Sequence, residues 1–359
     1  MADFSVISTK TQTSTNTNDK NQEIQQQDIN MFRGFDIVID PSDHFYINNK
    51  KGGDCFTHPS SRVHKKIMQE WKILEKHVPD SIYVRVYENR IDLLRAVIVG
   101  PSGTPYHDGL YFFDIAFPSD YPFTPPLVYY KSFGLRINPN LYQNGKVCLS
   151  LLNTWVGEKC EKWNHNQSTI LQVLISIQAL VLNEKPYYNE PGMRTCEKKS
   201  NEYSENAFIL SCKTMLYLLR RPPKNFEGFV TSHFREKASV ILSACNAYSN
   251  GQVKVGYYGK DGSCPASCPT VRVSRKFKGS IYKLYPELLS NFRSNGASLT
   301  EIDSMEQLIL TKKRTGLLKG KVGVKESGYV RMVFGKVMKF LGLNKNGSGK
   351  RDVEAETQT

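Results

Sequence analysis

An α+β fold, with helices segregated from one antiparallel sheet, is predicted for this 359-residue chain by three observations. An amphipathic helical pattern comes first, four β-rich runs separated by turn signals follow, and helical patterns resume after a long irregular segment. No internal repeat interrupts that order, and a hydrophobic content of 40% with 11% aromatics supplies a sizeable core.

The elements can be justified in turn. Residues 1–30 are rich in Thr, Asn, Gln and Asp and poor in large apolar groups. They cannot bury enough surface to offset ordering entropy and are expected to be disordered. Residues 31–58 alternate the runs FDIVI and FYI with Gly, Pro, Asp and Asn, which predicts a leader packed loosely on a domain. From Ser60, Val63, Ile67, Trp71 and Leu74 fall at helical spacing, while Arg62, Lys65, Lys66, Lys72 and Lys76 take other faces, and Pro79 ends the helix. Runs 82–87, 92–99 and 110–117 read as a meander, and after FPSDYPFTPPL a fourth strand is expected at 128–132. Residues 133–167 show no period. Ser168 is the expected N-cap of TILQVLISIQALVL, which is apolar nearly all round and should be buried. Two further helices are predicted at 195–222 and 225–249, the first ended by Arg-Pro-Pro.

The resulting division is a leader at 1–58, a core at 59–250, a Gly/Cys/Ser/Pro linker at 251–275 and a basic, partly helical tail at 276–359. Residues 251–359 hold 20 Lys and Arg against 9 Asp and Glu, so most of the net charge of +14 belongs to the end of the chain. The tail has amphipathic stretches at 277–292 and 329–343, the second carrying Lys336 and Lys339. Three readings of it stay open: a solvated end, a binder of anionic membrane surfaces or partner helices, and a nucleic-acid contact, the last not expected.

The chain shows neither a signal-peptide pattern nor an apolar run long enough to span a membrane, so a cytoplasmic or nuclear location is expected. Eight scattered cysteines lack zinc-finger spacing, and the pair Cys264 and Cys268 has no second pair to complete a metal site. No Gly-rich phosphate loop is present, and no cofactor is expected.

A long irregular segment inside a compact domain, full of aromatic and apolar residues, points to a built functional site. Here it carries YPFTPP at 121–126, NPN at 138–140, Cys148 eight residues after Asn140, Trp155 seven further on, and PYYNEPG at 186–192. Over about 60–250 these motifs, in this order and at this spacing, resemble the ubiquitin-conjugating enzyme family, in the branch of large plant-type and ligase-independent members. The resemblance implies the ubiquitin-conjugating (UBC) fold: a four-stranded antiparallel meander with an N-terminal helix, a central buried helix and C-terminal helices.

It also implies a function. Cys148 would accept ubiquitin as a thioester from the activating enzyme, which alone consumes ATP, and pass it to a lysine of a protein substrate, with or without a ligase. Thiol-to-thioester exchange changes free energy little, which suits cysteine to this relay. Asn140 is the candidate donor to the oxyanion that forms when lysine attacks, or a loop residue satisfying local backbone, and the two roles are compatible. Glu190 is the candidate carboxylate that orients the attacking lysine and eases loss of its proton, or a solvated turn residue. Arg62, Lys65, Lys66 and Lys72 resemble the basic face that docks the activating enzyme, although solvation alone gives charged helix faces. Phe123 sits where the family's ligase-binding turn has an aromatic; core packing is the other reading. Two departures stand out. Asn138 replaces the usual histidine, and a longer charged loop, 156–167, replaces the short one that helps bind ligases. An inactive variant that only binds ubiquitin or a ligase is the alternative; such variants typically lack the cysteine.

Overall fold

Runs of Val, Ile, Leu, Tyr and Phe between residues 82 and 130 build a sheet whose strands bury side chains on both faces. The computed structural model describes residues 32–48, 53–155, 157–259, 271–300, 302 and 304. Its sheet has five strands in sequential order: β1 (Phe35–Val38), β2 (Ile82–Tyr87), β3 (Arg90–Val99), β4 (Leu110–Ala116) and β5 (Leu127–Tyr130). β2 to β5 form the expected antiparallel meander, with Val84 opposite Ala96, Ala96 opposite Phe113 and Phe113 opposite Tyr130.

The four-stranded expectation needs correction, because β1 adds a fifth strand parallel to β2, Phe35 lying opposite Val84. The leader is correspondingly part of the fold over residues 34–48. The second face of the sheet carries Arg95 and Asp114, and covering them demands partners. Arg95, with no exposed surface, donates from Nε and Nη2 to Asp114 at 2.6 and 3.0 Å and from Nη1 to Asp43 at 2.6 Å. The Phe45 amide donates to Asp114 at 2.8 Å, and the His44 ring reaches the Leu94 carbonyl at 3.0 Å. Val38, Tyr46 and Ile47 pack on Tyr87, Leu93 and Ala116 of the same face. These contacts join residues far apart in sequence, so a local reading of 31–58 sees only its Gly, Pro and Asp.

The helices are α1 (Gly53–Thr57), α2 (Arg62–His77), α3 (Ile170–Ser176), α4 (Glu197–Arg220), α5 (Glu227–Asn250) and α6 (Arg275–Ser294). In α2, capped by the Ser61 hydroxyl on the His64 amide at 3.1 Å, Val63, Ile67 and Leu74 are buried as their spacing predicts, and so is Glu70. α3 is capped by Thr169 rather than Ser168: Thr169 Oγ1 accepts from the Gln172 amide at 3.2 Å and Gln172 Oε1 from the Thr169 amide at 3.1 Å. Ser168 is buried one residue earlier, its hydroxyl accepting from the Asn164 amide. α3 continues as a π-turn, Ile177–Val181. All-round burial is also corrected, since Ile175 and Leu180 are 42% and 63% exposed on the side away from the sheet core.

α4 and α5 lie where expected. α6 moves the domain boundary: Phe277, Ile281, Leu284, Leu288 and Phe292 form its buried stripe, with Phe277 against Phe208 of α4 and Phe292 against Phe234 of α5. Five such side chains, at about 1.5–3 kcal/mol each, are enough to make this first part of the tail integral to the fold. The segments 1–30 and 329–343, with Lys336 and Lys339, and the Cys264/Cys268 pair lie outside the described residues. Among the described residues, no helix is long and apolar enough to cross a membrane.

Candidate active site

A tight reversal places Cys148. Gly145, at φ +86°, donates to the Tyr142 carbonyl at 3.0 Å, and a Cβ there would fall 2.0 Å from the Tyr129 ring, so only glycine fits. The chain then runs back alongside itself: the Tyr142 amide donates to the Lys146 carbonyl at 3.0 Å and the Cys148 amide to the Asn140 carbonyl at 2.9 Å. Beyond Cys148, Thr154 Oγ1 donates to the Val147 carbonyl at 2.8 Å and accepts from the Leu149 amide at 3.0 Å, closing the loop behind the sulfur.

Asn140 faces Cys148 from the other strand of this reversal. Its side-chain amide donates to the Cys148 carbonyl at 2.9 Å, while its Oδ1 is buried without a hydrogen-bond partner. In this state the amide holds the backbone of the cysteine rather than pointing at its sulfur. Asn138, fully buried, sits beneath it. Its Nδ2 donates to the Tyr106 hydroxyl at 2.8 Å and to the Val181 carbonyl at 2.7 Å, and its Oδ1 accepts from the Asn140 amide at 2.8 Å. The same Val181 carbonyl, at the end of the π-turn, accepts from Asn189 at 3.1 Å, and Asn189 in turn accepts from Asn183 at 2.6 Å. One asparagine therefore ties the cysteine loop, the end of the central helix and the loop before Glu190 into a single network.

The third candidate arrives from that loop. Glu190 follows the 3-10 turn Pro186–Asn189, and its Oε2 lies 3.5 Å from Arg136 Nη2. Burial pushes the Cys148 thiol above its ordinary value; Lys146, a hydrogen bond from Tyr142 and Arg136 each pull it back, and Glu190 pushes it up. Cys148, Asn140 and Glu190 thus converge, and three residues missed in the sequence, Arg136, Tyr142 and Lys146, join them. Arg136 and Tyr142 are six positions apart and meet through the reversal, which only the folded loop displays. Tyr187 packs edge-on against Tyr188 at 5.2 Å beside this site.

The partner-surface candidates form a separate region. Phe123 is 53% exposed, so the core reading is set aside, and the Arg62 guanidinium stacks over its ring at 4.6 Å. Lys65 and Lys72 are exposed, whereas Lys66 is drawn to buried Glu70 at 3.7 Å. Glu70 also accepts from the Tyr121 hydroxyl at 2.7 Å and the Ile170 amide at 3.0 Å, joining α2, the Pro-rich turn and α3. The longer loop folds back on that turn: Trp163 donates to the Pro122 carbonyl at 2.6 Å and packs on Tyr121 at 5.8 Å, and His165 lies 5.2 Å from Phe123. A tryptophan amid Glu, Lys and Asn was the available signal that this loop is anchored. Among the described residues, no cluster of His, Cys, Asp and Glu could hold a metal.

Residues 66–209 match the family model described as "Ubiquitin-conjugating enzyme". The Arabidopsis thaliana protein named "Probable ubiquitin-conjugating enzyme E2 25" is 60% identical over 226 residues, which cover 61% of this chain and 37% of that protein. "Putative ubiquitin-conjugating enzyme E2 38" of the same plant is 48% identical over 277 residues, covering 76% of this chain and 84% of that protein. The Homo sapiens protein named "Dual E2 ubiquitin-conjugating enzyme/E3 ubiquitin-protein ligase BIRC6" is 38% identical over 219 residues, 57% of this chain and 4% of its own length. The chain spans half or less of several of its relatives, 37%, 27%, 30% and 50% of four Arabidopsis ones. With 84% of the E2 38 relative matched at 48% identity, and with the five-stranded α+β architecture described above, this chain belongs to the ubiquitin-conjugating enzyme family.

Proposed function

We propose that the chain carries ubiquitin as a thioester on Cys148 and transfers it to lysine. The observation that supports this most directly is the convergence of Cys148, Asn140 and Glu190 on one irregular loop system, with cationic groups around the sulfur. In the first step the Cys148 thiolate attacks the carbonyl that joins ubiquitin to the activating enzyme, and that enzyme's thiol leaves. In the second, a substrate lysine attacks the new thioester, Cys148 leaves as thiolate, and Glu190 orients the ammonium and accepts its proton. The Asn140 amide, released from the Cys148 carbonyl, would stabilise the intermediate oxyanion.

The partners implied are ubiquitin, an activating enzyme docking near Arg62, Lys65 and Lys72, protein substrates and a ligase where one is used. With Trp163 and His165 lying on the Pro-rich turn, a ligase approaching Phe123 would meet this chain's own loop, which favours transfer without one. No cofactor is needed beyond the ATP spent upstream. A cytoplasmic or nuclear site of action, and a tail that touches anionic membrane, belong to the same proposal.

The test combines purified chain, activating enzyme, ubiquitin and ATP, resolved on gels with and without reductant. A reductant-sensitive adduct in the wild type, lost in Cys148→Ala, is expected. Folded wild type that forms no adduct would overturn the reading.

A further inference from the structure

The loop that carries Glu190 is anchored up to the residue before it and little beyond. Asn189 donates to the Val181 carbonyl at 3.1 Å and accepts from Asn183 at 2.6 Å. Residues 191–195 are then exposed one after another, and a Cβ placed on Gly192 would meet nothing within 4 Å. The position of the Glu190 carboxylate, itself 37% exposed, therefore depends on what its own oxygens reach. Among the described residues that partner is Arg136, whose Nη2 lies 3.5 Å from Oε2. Arg136 belongs to the opposite side of the site. It precedes the fully buried Ile137 and Asn138, its Nη2 also donates to the Pro139 carbonyl at 3.4 Å, and its guanidinium stacks 4.4 Å from the centroid of the Tyr142 ring. Pro139 adjoins Asn140, whose carbonyl accepts from the Cys148 amide at 2.9 Å. One guanidinium thus spans the gap between the cysteine reversal and the Glu190 loop.

We infer that Arg136 is a positioning residue for Glu190: it holds the carboxylate against the cysteine reversal and occupies the place that an acceptor lysine's ammonium takes over. The inference rests on the reading of Cys148 as the acyl carrier and of Glu190 as the carboxylate that receives the lysine. The pair is half-exposed, and ion pairs of that kind shift an equilibrium by about fivefold at most. Such weakness suits a placeholder. A deeply buried pair would be hard to break, whereas here an incoming ammonium can displace the guanidinium. The Tyr142 ring and the Pro139 carbonyl keep Arg136 in place once Glu190 turns to the lysine. The exchange also discriminates between acceptors. A protonated amine replaces one cation by another on the carboxylate, while a neutral hydroxyl offers nothing in return for the pair it breaks.

The test uses the full chain, loaded with ubiquitin and separated from the activating enzyme, and follows single-turnover discharge to free lysine over a range of lysine concentrations. Hydroxylamine, which attacks thioesters as a neutral molecule at about pH 7.5 and needs no carboxylate, is the reference nucleophile. In Arg136→Gln the limiting rate with lysine, divided by the hydroxylamine rate, is expected to fall roughly twofold to fivefold. The half-saturating lysine concentration should not rise, because the competing cation is gone. Arg136→Lys, which keeps the charge but neither the fork nor the planar stack, should recover part of the loss. In a Glu190→Gln background the Arg136→Gln change should have no further effect on the ratio, since the two residues act as a unit. An unchanged ratio in Arg136→Gln would overturn the proposal, as would a loss that persists in full when Glu190 is already replaced. A wild type that takes up no ubiquitin removes the proposed function and this inference with it. A wild type that loads and discharges to lysine, beside an Arg136→Gln variant with the same ratio, removes only the role of Arg136.

Discussion

Removing the side chain of Asn138 should loosen the candidate site from beneath without touching the sulfur. In Asn138→Ala four hydrogen bonds disappear: to the Tyr106 hydroxyl at 2.8 Å, to the Val181 carbonyl at 2.7 Å, from the Asn140 amide at 2.8 Å and, at a long 3.4 Å, from the Asn189 side-chain amide. Three of the abandoned groups have somewhere to turn. Tyr106 still donates to the Ile137 carbonyl at 3.1 Å, and Asn189 still donates to the Val181 carbonyl at 3.1 Å. The Asn140 amide, on a residue only 8% exposed, loses the side chain that satisfied it. An orphaned buried donor costs about 1–3 kcal/mol and each of the other two short bonds about 1 kcal/mol, so a loss of roughly 3–5 kcal/mol is expected. For a domain of this size that lowers the melting temperature by roughly 6–15 °C, measured by calorimetry or circular dichroism. Asn138→Asp keeps the acceptor for Asn140 but sets a carboxylate against the Val181 carbonyl, so it should be as damaging at neutral pH and recover in acid. A melting temperature for Asn138→Ala within about 2 °C of wild type would refute the idea that this residue joins the three segments.

Other expectations follow from the same kind of reasoning. Asp114→Asn should cost about 3–5 kcal/mol in urea denaturation, because it strips a fully buried Arg95 of its main partner; a loss below about 1 kcal/mol would contradict this. Burial opposes ionisation of Asp114, but the hydrogen bonds and charge of Arg95 prevail and hold it below 3.8. Its contribution is therefore present above that pH and lost as pH falls through the folded-state value. Glu70 has the opposite sign. Burial raises it above 4.5 despite hydrogen bonds from the Ile170 amide and Tyr121 and the nearby Lys66, so its contribution is complete below 4.5 and lost as pH rises through the folded-state value. Wild type should lose stability relative to Glu70→Gln as pH climbs through that window, and a constant difference between the two would count against it. Trp163→Phe, which removes the bond to the Pro122 carbonyl, should increase protease cleavage within 157–167 and lower global stability by only about 1 kcal/mol; unchanged cleavage would show that the bond does not anchor the loop.

Much of this molecule is local in its causes and could be read from the chain. The β-rich runs between turn signals, the 3.6-residue spacing of Val63, Ile67 and Leu74, and the terminators Pro79 and Arg-Pro-Pro give elements within a few residues of those observed, because each depends on neighbours in sequence. Cys148 was singled out by motif order and spacing, which survive in one dimension. The cap of α3 was misplaced by one residue because Ser168 and Thr169 are chemically equivalent caps, and only the reciprocal pairing of Thr169 with Gln172 decides between them. Fold and family were thus within the reach of the sequence.

What surrounds the sulfur was not. β1 and the charge network of Asp43, Arg95 and Asp114 join residues 19 to 52 positions apart, and their polar side chains read as loop until the sheet face that needs them is present. Arg136, Tyr142, Lys146 and Glu190 surround Cys148 only because a glycine reversal and a network centred on Asn138 fold two distant loops together. Sequence determined which chemistry the chain can carry, since a thiol, an amide and a carboxylate are properties of residues. Tertiary structure decided the environment of that chemistry, because burial and electrostatic interaction depend on distance in space, which spacing along the chain does not specify.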